Sequence, residues 1–267
     1  MELIMLGTGN AVVTKCYNTC FCLKDEERVL LVDAGGGNTI LSRLEEAGIP
    51  LSMIHTMFLT HAHTDHILGA VWLVRVVAAA MNQGKYEGTF TIFGHDEALE
   101  ALRTICFLTL GKKFTKHIGE DILLEEVTDR ETRENLGWKL QFFDIGSTKI
   151  KQFGFCTDLP NGEHLVCLGD EPYSPQCEEL VKGADWMLCE AFCLDRDKDV
   201  FHPYEKHHST ALDGGRIAEE LGIKNLVLYH TEDKTIQERK AMYSAEAAVH
   251  FSGKIYVPDD LEKIHLG

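Results

Sequence analysis

The sequence contains little proline and no long apolar run. Only 6 of its 267 residues are proline, and no low-complexity or linker-like segment divides it. The best candidate for a membrane span, residues 67–81, contains Arg75 and is shorter than the roughly 20 residues that a bilayer requires. We therefore expect a single folded domain over residues 1–267 and no membrane partner.

Lysine and arginine are also scarce. They number 26 against 42 aspartates and glutamates, which gives a formal net charge of -16. Such a surface repels phosphate backbones, so nonspecific nucleic-acid binding is disfavoured unless a local basic patch exists. The two densest basic clusters, residues 111–116 and 149–151, are interpreted as solvated faces rather than as a nucleic-acid groove.

The cysteines show no pairing pattern. Their number, 9, is odd, their spacing matches no zinc-ribbon motif, and no secretion signal precedes them. Reduced thiols in a cytoplasmic protein are therefore expected. For Cys16, Cys20 and Cys22 we expect half-buried strand positions, with metal binding as the alternative.

The most informative segment of the sequence is a dense polar motif at residues 60–66, THAHTDH. It holds three imidazoles and one carboxylate within six residues. A buried polar group without a partner costs about 1–3 kcal/mol, so these side chains cannot all enter a core unpaired. They are therefore either exposed or hold a ligand.

The flanks of this motif favour a ligand. Residues 53–59 read as a buried strand, and residues 67–80 are apolar and long enough for a buried helix. A strand-to-helix loop aims several side chains at one point. Imidazole suits Zn and Fe, and an added carboxylate is typical of a catalytic metal site. The motif thus predicts a metal site, with a His-rich surface turn as the alternative.

The pattern His61-x-His63-x-Asp65-His66 resembles the signature of the metallo-β-lactamase fold hydrolases. The resemblance implies an α/β fold, a four-layer αβ/βα sandwich of two mixed sheets. It also implies two divalent metal ions, with zinc expected and Mn or Fe as alternatives. His61 and His63 would bind the first ion, and Asp65 and His66 the second.

Three amino-terminal segments resemble ribonuclease Z and its relatives more specifically. They are LGTG at residues 6–9, YNT at residues 17–19 and LVDAG at residues 31–35. In that setting Asp33 would steady the histidine loop without binding metal. A turn or helix cap is the alternative role for Asp33.

Two further ligands are implied at strand ends later in the chain. Asp170 follows the apolar run 165–168, and in the resemblance it bridges both metals, with helix capping as the alternative. His230 follows the apolar run 226–229 and matches the last ligand of the second metal.

A glutamate and a histidine complete the expected catalytic set. Glu190 ends another apolar strand and resembles the ribonuclease Z glutamate that orients a catalytic histidine. His208 in the segment HHST is preferred for that histidine over its neighbour His207. An imidazole paired with a carboxylate can protonate a leaving oxygen at neutral pH. The expected catalytic residues are Asp65, Glu190 and His208.

The sequence departs from the family pattern in two places. Gly146 stands where the alignment expects a third histidine for the first metal, so Asp144 or water would have to fill that position, and we expect weaker binding there. The long arm with which transfer-RNA-processing relatives grip the tRNA elbow is also missing, because only residues 147–169 separate Gly146 from Asp170.

These features together predict a dinuclear zinc phosphodiesterase, a metal-dependent hydrolase that acts on a small or cyclic phosphodiester or a short RNA. Two alternatives stay open: a carboxylic-ester, lactone or thioester hydrolase of the same fold, and a metal-binding protein whose catalysis is weakened at Gly146. Relatives of this kind are often dimers, so a homodimer is a further expectation.

Overall fold

The computed structural model describes residues 1–267 and contains fourteen strands in two mixed sheets. The strands are β1 (Glu2–Gly7), β2 (Cys20–Asp25), β3 (Arg28–Val32), β4 (Ile54–Leu59), β5 (Phe90–Gly94), β6 (Ile122–Glu126), β7 (Thr132–Asn135), β8 (Trp138–Asp144), β9 (Phe153–Asp158), β10 (His164–Cys167), β11 (Trp186–Glu190), β12 (Asn225–Tyr229), β13 (Lys254–Tyr256) and β14 (Lys263–His265).

Eight α-helices accompany the strands. They are α1 (Thr39–Glu46), α2 (Thr64–Asn82), α3 (Asp96–Thr109), α4 (Lys112–Thr115), α5 (Glu178–Val181), α6 (Lys198–Phe201), α7 (Ala211–Glu220) and α8 (Arg239–Ala247). The longest, α2, begins at Thr64 inside the histidine motif, so Asp65 and His66 lie in its first turn rather than on the expected loop.

Each of the two sheets has seven strands, of which four consecutive strands are parallel. The first has the order β14-β1-β2-β3-β4-β5-β6 and the second the order β13-β12-β11-β10-β9-β8-β7. In the first sheet the strands from β3 to β6 are parallel and the others antiparallel, whereas in the second the strands from β10 to β13 are parallel.

Three apolar clusters define the layers. One lies between the sheets and contains Phe58, Phe142 and Phe155. A second joins α1, α2 and α3 to the outer face of the first sheet, and a third joins α7 and α8 to the outer face of the second. This is the predicted four-layer αβ/βα sandwich, with helices covering both sheets.

The apolar character of α2 reflects its place in the core. The helix is long and apolar enough, by length and composition alone, to cross a membrane, so the sequence estimate of its length was too short. More than half of that window is nevertheless buried inside the fold. Gly69 lies so close to the backbone of Ala34 that a Cβ would collide with its carbonyl oxygen. Glycine there lets α2 pack against the loop after β3.

The topology brings the carboxyl ends of several strands to one edge of the sandwich. In the first sheet β3 and β4 are parallel neighbours, and in the second β10, β11 and β12 are parallel neighbours. Loops at the carboxyl ends of parallel strands are the usual place for functional side chains. Every predicted ligand follows one of these strands in the sequence.

The cysteines are all unpaired, as expected, and eight of the 9 are buried. None lies in a group of side chains able to hold a metal ion. The alternative of metal binding by Cys16, Cys20 and Cys22 therefore has no support in the structure.

Candidate metal centre and active site

Asp33 holds the histidine motif (residues 60–66) in place through hydrogen bonds. This buried carboxylate accepts hydrogen bonds from the Thr60 backbone N–H (2.9 Å) and the Thr60 hydroxyl (2.7 Å). Its Oδ2 also accepts from His66 Nδ1 at 2.7 Å. Asp33 thus steadies the loop, as the resemblance implied, and turns Nε2 of His66 away from itself. Carboxylate–histidine contacts of this kind orient metal ligands.

Four donors surround what we call the second position, namely Asp65, His66, Asp170 and His230. Asp170 Oδ2 lies 3.4 Å from both His66 Nε2 and His230 Nε2, and Asp65 Oδ2 lies 3.4 Å from His66 Nε2. Donors about 2.1 Å from a tetrahedral zinc ion are themselves about 3.4 Å apart. His66 Nε2 is buried and has no hydrogen-bond partner. These residues fit a divalent cation.

Three donors surround the first position, namely His61, His63 and Asp170. His61 Nε2 lies 2.9 Å from His63 Nδ1 and 3.6 Å from Asp170 Oδ1. Since Asp170 belongs to both groups through different oxygens, its placement agrees with the predicted bridging role. The structure therefore brings together all six predicted ligands.

The first position has an unexpected neighbour in Gln152. Its buried amide nitrogen donates a hydrogen bond to Asp170 Oδ1 and lies 3.0 Å from His61 Nδ1. The oxygen that a first metal would take is therefore already hydrogen-bonded. The first position fits a metal less well than the second.

The backbone of Gly146 faces the side chain of Gln176. A Cβ added there would meet the side chain of Gln176 at 2.3 Å, and the backbone has a φ of +79°, which disfavours any other residue. Asp144 accepts a hydrogen bond from the Gly146 N–H and belongs to no metal-holding group. The alternative that Asp144 fills the place of the missing third histidine therefore has no support in the structure.

Burial keeps two histidines of the cluster, His61 and His230, in the neutral form. It lowers the pKa of His61 well below its usual range, despite the opposing charge of Asp170. Burial also lowers the pKa of His230 to about 3. Both imidazoles are therefore neutral at pH 7, which is the form that binds metal.

The remaining groups of the second position are held in charged form. Burial disfavours a charged His66, but the carboxylates of Asp65, Asp33 and Asp170 outweigh it and raise its pKa. Burial likewise disfavours a charged Asp170, yet the surrounding histidines hold its pKa well below the usual range. The carboxylates that favour a proton on His66 would equally favour a bound cation in place of that proton, and His66 would then bind the cation in its neutral form.

His208 lies beside the second position, with its ring centroid 5.3 Å from that of His230, and Glu190 lies beside His208. Glu190 Oε1 accepts from the Ser209 N–H (2.6 Å), Oε2 accepts from the Phe192 N–H (3.0 Å), and Oε2 lies 3.6 Å from His208 Nδ1. The His208 ring stacks on Phe192 with centroids 4.6 Å apart. Burial opposes protonation of His208, but Glu190 raises its pKa above the ordinary value. His208 can therefore carry a proton at neutral pH.

Two charged residues near His208 were not recognised from the sequence. Lys149 is exposed, as expected for a solvated face, and its Nζ also lies 3.4 Å from His208 Nε2. Burial and the charge of Asp170 raise the pKa of Glu171 to about 7. Only the position of Glu171 directly after Asp170 offered a signal in the sequence.

A cleft of about 460 Å³ opens next to His208. It is bounded by α7, the ends of β10 and β11, and the loops 145–148 and 171–175. His208 and Glu190 line it, but none of the six predicted metal ligands does. We call it the His208 cleft.

Comparison with known proteins identifies relatives of this chain. The sequence profile of a family described as "Anti-Pycsar protein Apyc1" matches residues 1–128. Ribonuclease Z from Thermobifida fusca is 26% identical, over 98% of this chain and 94% of that protein.

The probable metallo-hydrolase YhfI of Bacillus subtilis is 25% identical, over 85% of this chain and 87% of its own length. Its crystal structure, described as a metallo-β-lactamase fold protein, matches with a TM-score of 0.79, covering 98% of both chains at 20% identity. The short form of human tRNase Z matches with a TM-score of 0.76, covering 100% of both chains at 18% identity. The chain has the metallo-β-lactamase fold and resembles ribonuclease Z, as predicted.

Proposed function

We propose that this protein is a metal-dependent phosphodiesterase that hydrolyses a small or cyclic phosphodiester or a short RNA. The observation that carries the proposal is the position of His208. It lies beside the metal cluster, with its ring centroid 5.3 Å from that of His230, and it also lines a cleft that can receive a leaving group.

The metal ligands in this proposal are His61, His63 and Asp170 for a first ion and Asp65, His66, Asp170 and His230 for a second. Zinc is the proposed metal because the donors are imidazoles and carboxylates, with Mn or Fe as alternatives. Such ions supply Lewis-acid activation of water and of a phosphoryl oxygen.

The residues of the chain account for the remaining requirements. Glu190 holds His208 in its protonated form, and His208 gives its proton to the oxygen that leaves phosphorus. Asp33 fixes the orientation of His66. Phe192 packs against one face of the His208 ring and limits its movement.

The fold itself disfavours folded transfer RNA as the substrate. Residues 147–169, where transfer-RNA-processing relatives would carry their arm, form only a loop and the strands β9 and β10. The net charge of -16 further opposes a long polyanion. The names of the relatives, ribonuclease Z and tRNase Z, support phosphodiester chemistry in general. A cytoplasmic location and a homodimer stay predictions.

The test compares hydrolysis of bis-p-nitrophenyl phosphate with that of p-nitrophenyl acetate by the metal-loaded protein. We expect turnover of the phosphodiester that exceeds turnover of the acyl ester, together with its loss in Asp170→Ala. His250→Ala replaces an exposed histidine far from the cluster and serves as the control. Preference for the acetate would instead support the carboxylic-ester alternative, and turnover of neither would support a metal-binding protein with weakened catalysis.

A further inference from the structure

The loop between β8 and β9 brings a lysine to the metal cluster. Lys149 lies in this loop, and its Nζ is 3.4 Å from Nε2 of His208. Two contacts hold the loop in place. The hydroxyl of Thr148 lies 2.8 Å from Nδ1 of His207, and the backbone N–H of Lys149 donates a hydrogen bond to the hydroxyl of Ser147. The lysine side chain is therefore carried by an anchored segment of backbone.

The positive charge of Lys149 acts on both halves of the cluster. Burial lowers the pKa of His63, a ligand of the first position, and the charge of Lys149 contributes to that lowering. Burial also opposes protonation of His208 beside the second position, and the same lysine opposes it too, although the pKa of His208 is raised overall. A phosphoryl group at the cluster would thus have the ammonium group at its side.

Lys149 has no anionic partner within the protein. Lys151 forms an ion pair with Asp96, whereas Lys149 forms none. Burial raises the pKa of the nearby carboxyl of Glu171 to about 7, so that group is only partly charged at neutral pH. The contact with His208 does not replace a partner, because an ammonium group and a protonated imidazole are both hydrogen-bond donors and repel each other. An anionic oxygen between the two nitrogens would accept from both.

The first metal position gives such a cation a purpose. It has three donors, and Gln152, at the end of the same loop, already donates a hydrogen bond to Asp170 there. We therefore expect a metal at this position to be bound less tightly. A phosphoryl oxygen then loses part of the positive charge that two ions would supply. A lysine beside the cluster supplies a charge that requires no ion.

We propose that Lys149 is a catalytic residue of this site, and that its ammonium group binds a non-bridging oxygen of the substrate's phosphoryl group beside His208. This inference rests on the proposed phosphodiesterase function and adds a substrate-binding residue to it. The role of Lys149 is electrostatic. It keeps its protons, no covalent bond to it forms or breaks, and its charge stabilises the negative charge that grows on the phosphoryl oxygens in the transition state.

The experiment measures the binding of inorganic phosphate to the metal-loaded protein by calorimetry. Lys149→Met removes the charge but keeps a long, unbranched side chain, and it should weaken phosphate binding by about tenfold or more, equivalent to about 1.4 kcal/mol. Lys149→Arg keeps the charge and should bind phosphate nearly as tightly as the wild type. Lys85→Met is the matched control, because it removes the same charge from an exposed lysine beyond the carboxyl end of α2, whereas Asp65 lies at the amino end.

Two further measurements separate charge from structure. Elemental analysis should show the metal content of the wild type in all three variants. Hydrolysis of bis-p-nitrophenyl phosphate should lose about tenfold or more in kcat/KM in Lys149→Met and recover in Lys149→Arg, as expected for a charge that stabilises the transition state.

Several results would overturn the proposal. They are absence of phosphate binding to the wild type, equal binding by the wild type and Lys149→Met, an equal loss in Lys149→Arg or Lys85→Met, and loss of metal from Lys149→Met. Phosphate binding that depends on Lys149, without hydrolysis of bis-p-nitrophenyl phosphate, would leave the anion-binding role of Lys149 standing and reject the proposed reaction. Hydrolysis that is unchanged in Lys149→Met would do the reverse.

Discussion

The two halves of the metal cluster are built differently. The second position has four donors, and Asp33 orients one of them from the side opposite the metal. The first position has three donors, and one donor atom, Asp170 Oδ1, already accepts a hydrogen bond from Gln152. A donor atom in a hydrogen bond must exchange that partner for the metal, which reduces the net gain on binding.

The two positions therefore differ in the side chains that surround them and not in the backbone fold that carries them. Both positions lie at strand ends of the same sandwich and share Asp170. The second position is preorganised by Asp33 and adjoins His208, whereas the first depends on a contact that the metal must displace. We therefore expect unequal affinity, with the second position binding more tightly.

The largest effect should come from removing the residue that both halves share. In Asp170→Ala each position loses a ligand, so metal content should fall to background and phosphodiester turnover should disappear. Elemental analysis of the purified variant measures this directly. Asp144→Asn, which alters an acid outside the cluster, is the control. Retention of one tightly bound metal in Asp170→Ala would show that the halves do not share this residue.

The next effect should separate chemistry from metal binding. His208→Ala should keep the metal content of the wild type and lower turnover by about 10²–10⁴-fold, the usual range for a general acid. The loss should be larger for an alkyl ester than for a nitrophenyl ester, because a poor leaving group needs the proton more. An equal loss for both esters would contradict proton donation by His208.

A smaller effect should fall mainly on the second position. Asp33→Asn weakens the contact that orients His66, and loss of such a partner typically lowers metal affinity by about 10–100-fold. Asparagine tolerates the left-handed backbone of this residue, which has a φ of 53°. Metal titration against a chelator should show weaker binding of the tighter ion and little change in the other. Equal weakening of both ions would show that the contacts of Asp33 with Thr60 matter as much as its contact with His66.

The smallest effect should strengthen the first position. Gln152→Glu replaces the amide that contacts Asp170 with a carboxylate that can bind metal. We expect an increase in affinity for the weaker ion on the order of tenfold. Without metal, the two facing carboxylates repel each other, so the melting temperature of the metal-free variant should fall. Gln152→Ala, which adds no ligand, separates the added ligand from simple removal of the amide. Unchanged binding of the weaker ion in Gln152→Glu would show that Gln152 does not limit metal binding at the first position.

The sequence was sufficient for the parts of the site that depend on local pattern. The histidine motif between an apolar strand and an apolar helix predicted the loop between β4 and α2. Asp170, Glu190 and His230 could be predicted because each follows a short apolar run, and parallel strands place such ends at one edge. The four-layer fold was implied by the resemblance to the metallo-β-lactamase fold hydrolases rather than by local pattern.

The features that could not be predicted from the sequence depend on contacts between segments that are distant in the chain. Gln152 and His61 are 91 positions apart, and nothing local indicates that Gln152 contacts both His61 and Asp170. The three-residue edge strands β13 and β14 were also missed, since they carry no alternating pattern of their own and form by pairing with β12 and β1.

The most direct test of the unequal cluster is a stepwise removal of metal from the wild-type protein with a competing chelator, followed by elemental analysis at each step. The structure predicts two separate losses, one equivalent leaving at low chelator concentration and the second only at a much higher concentration. Loss of both equivalents together, at one chelator concentration, would contradict the account.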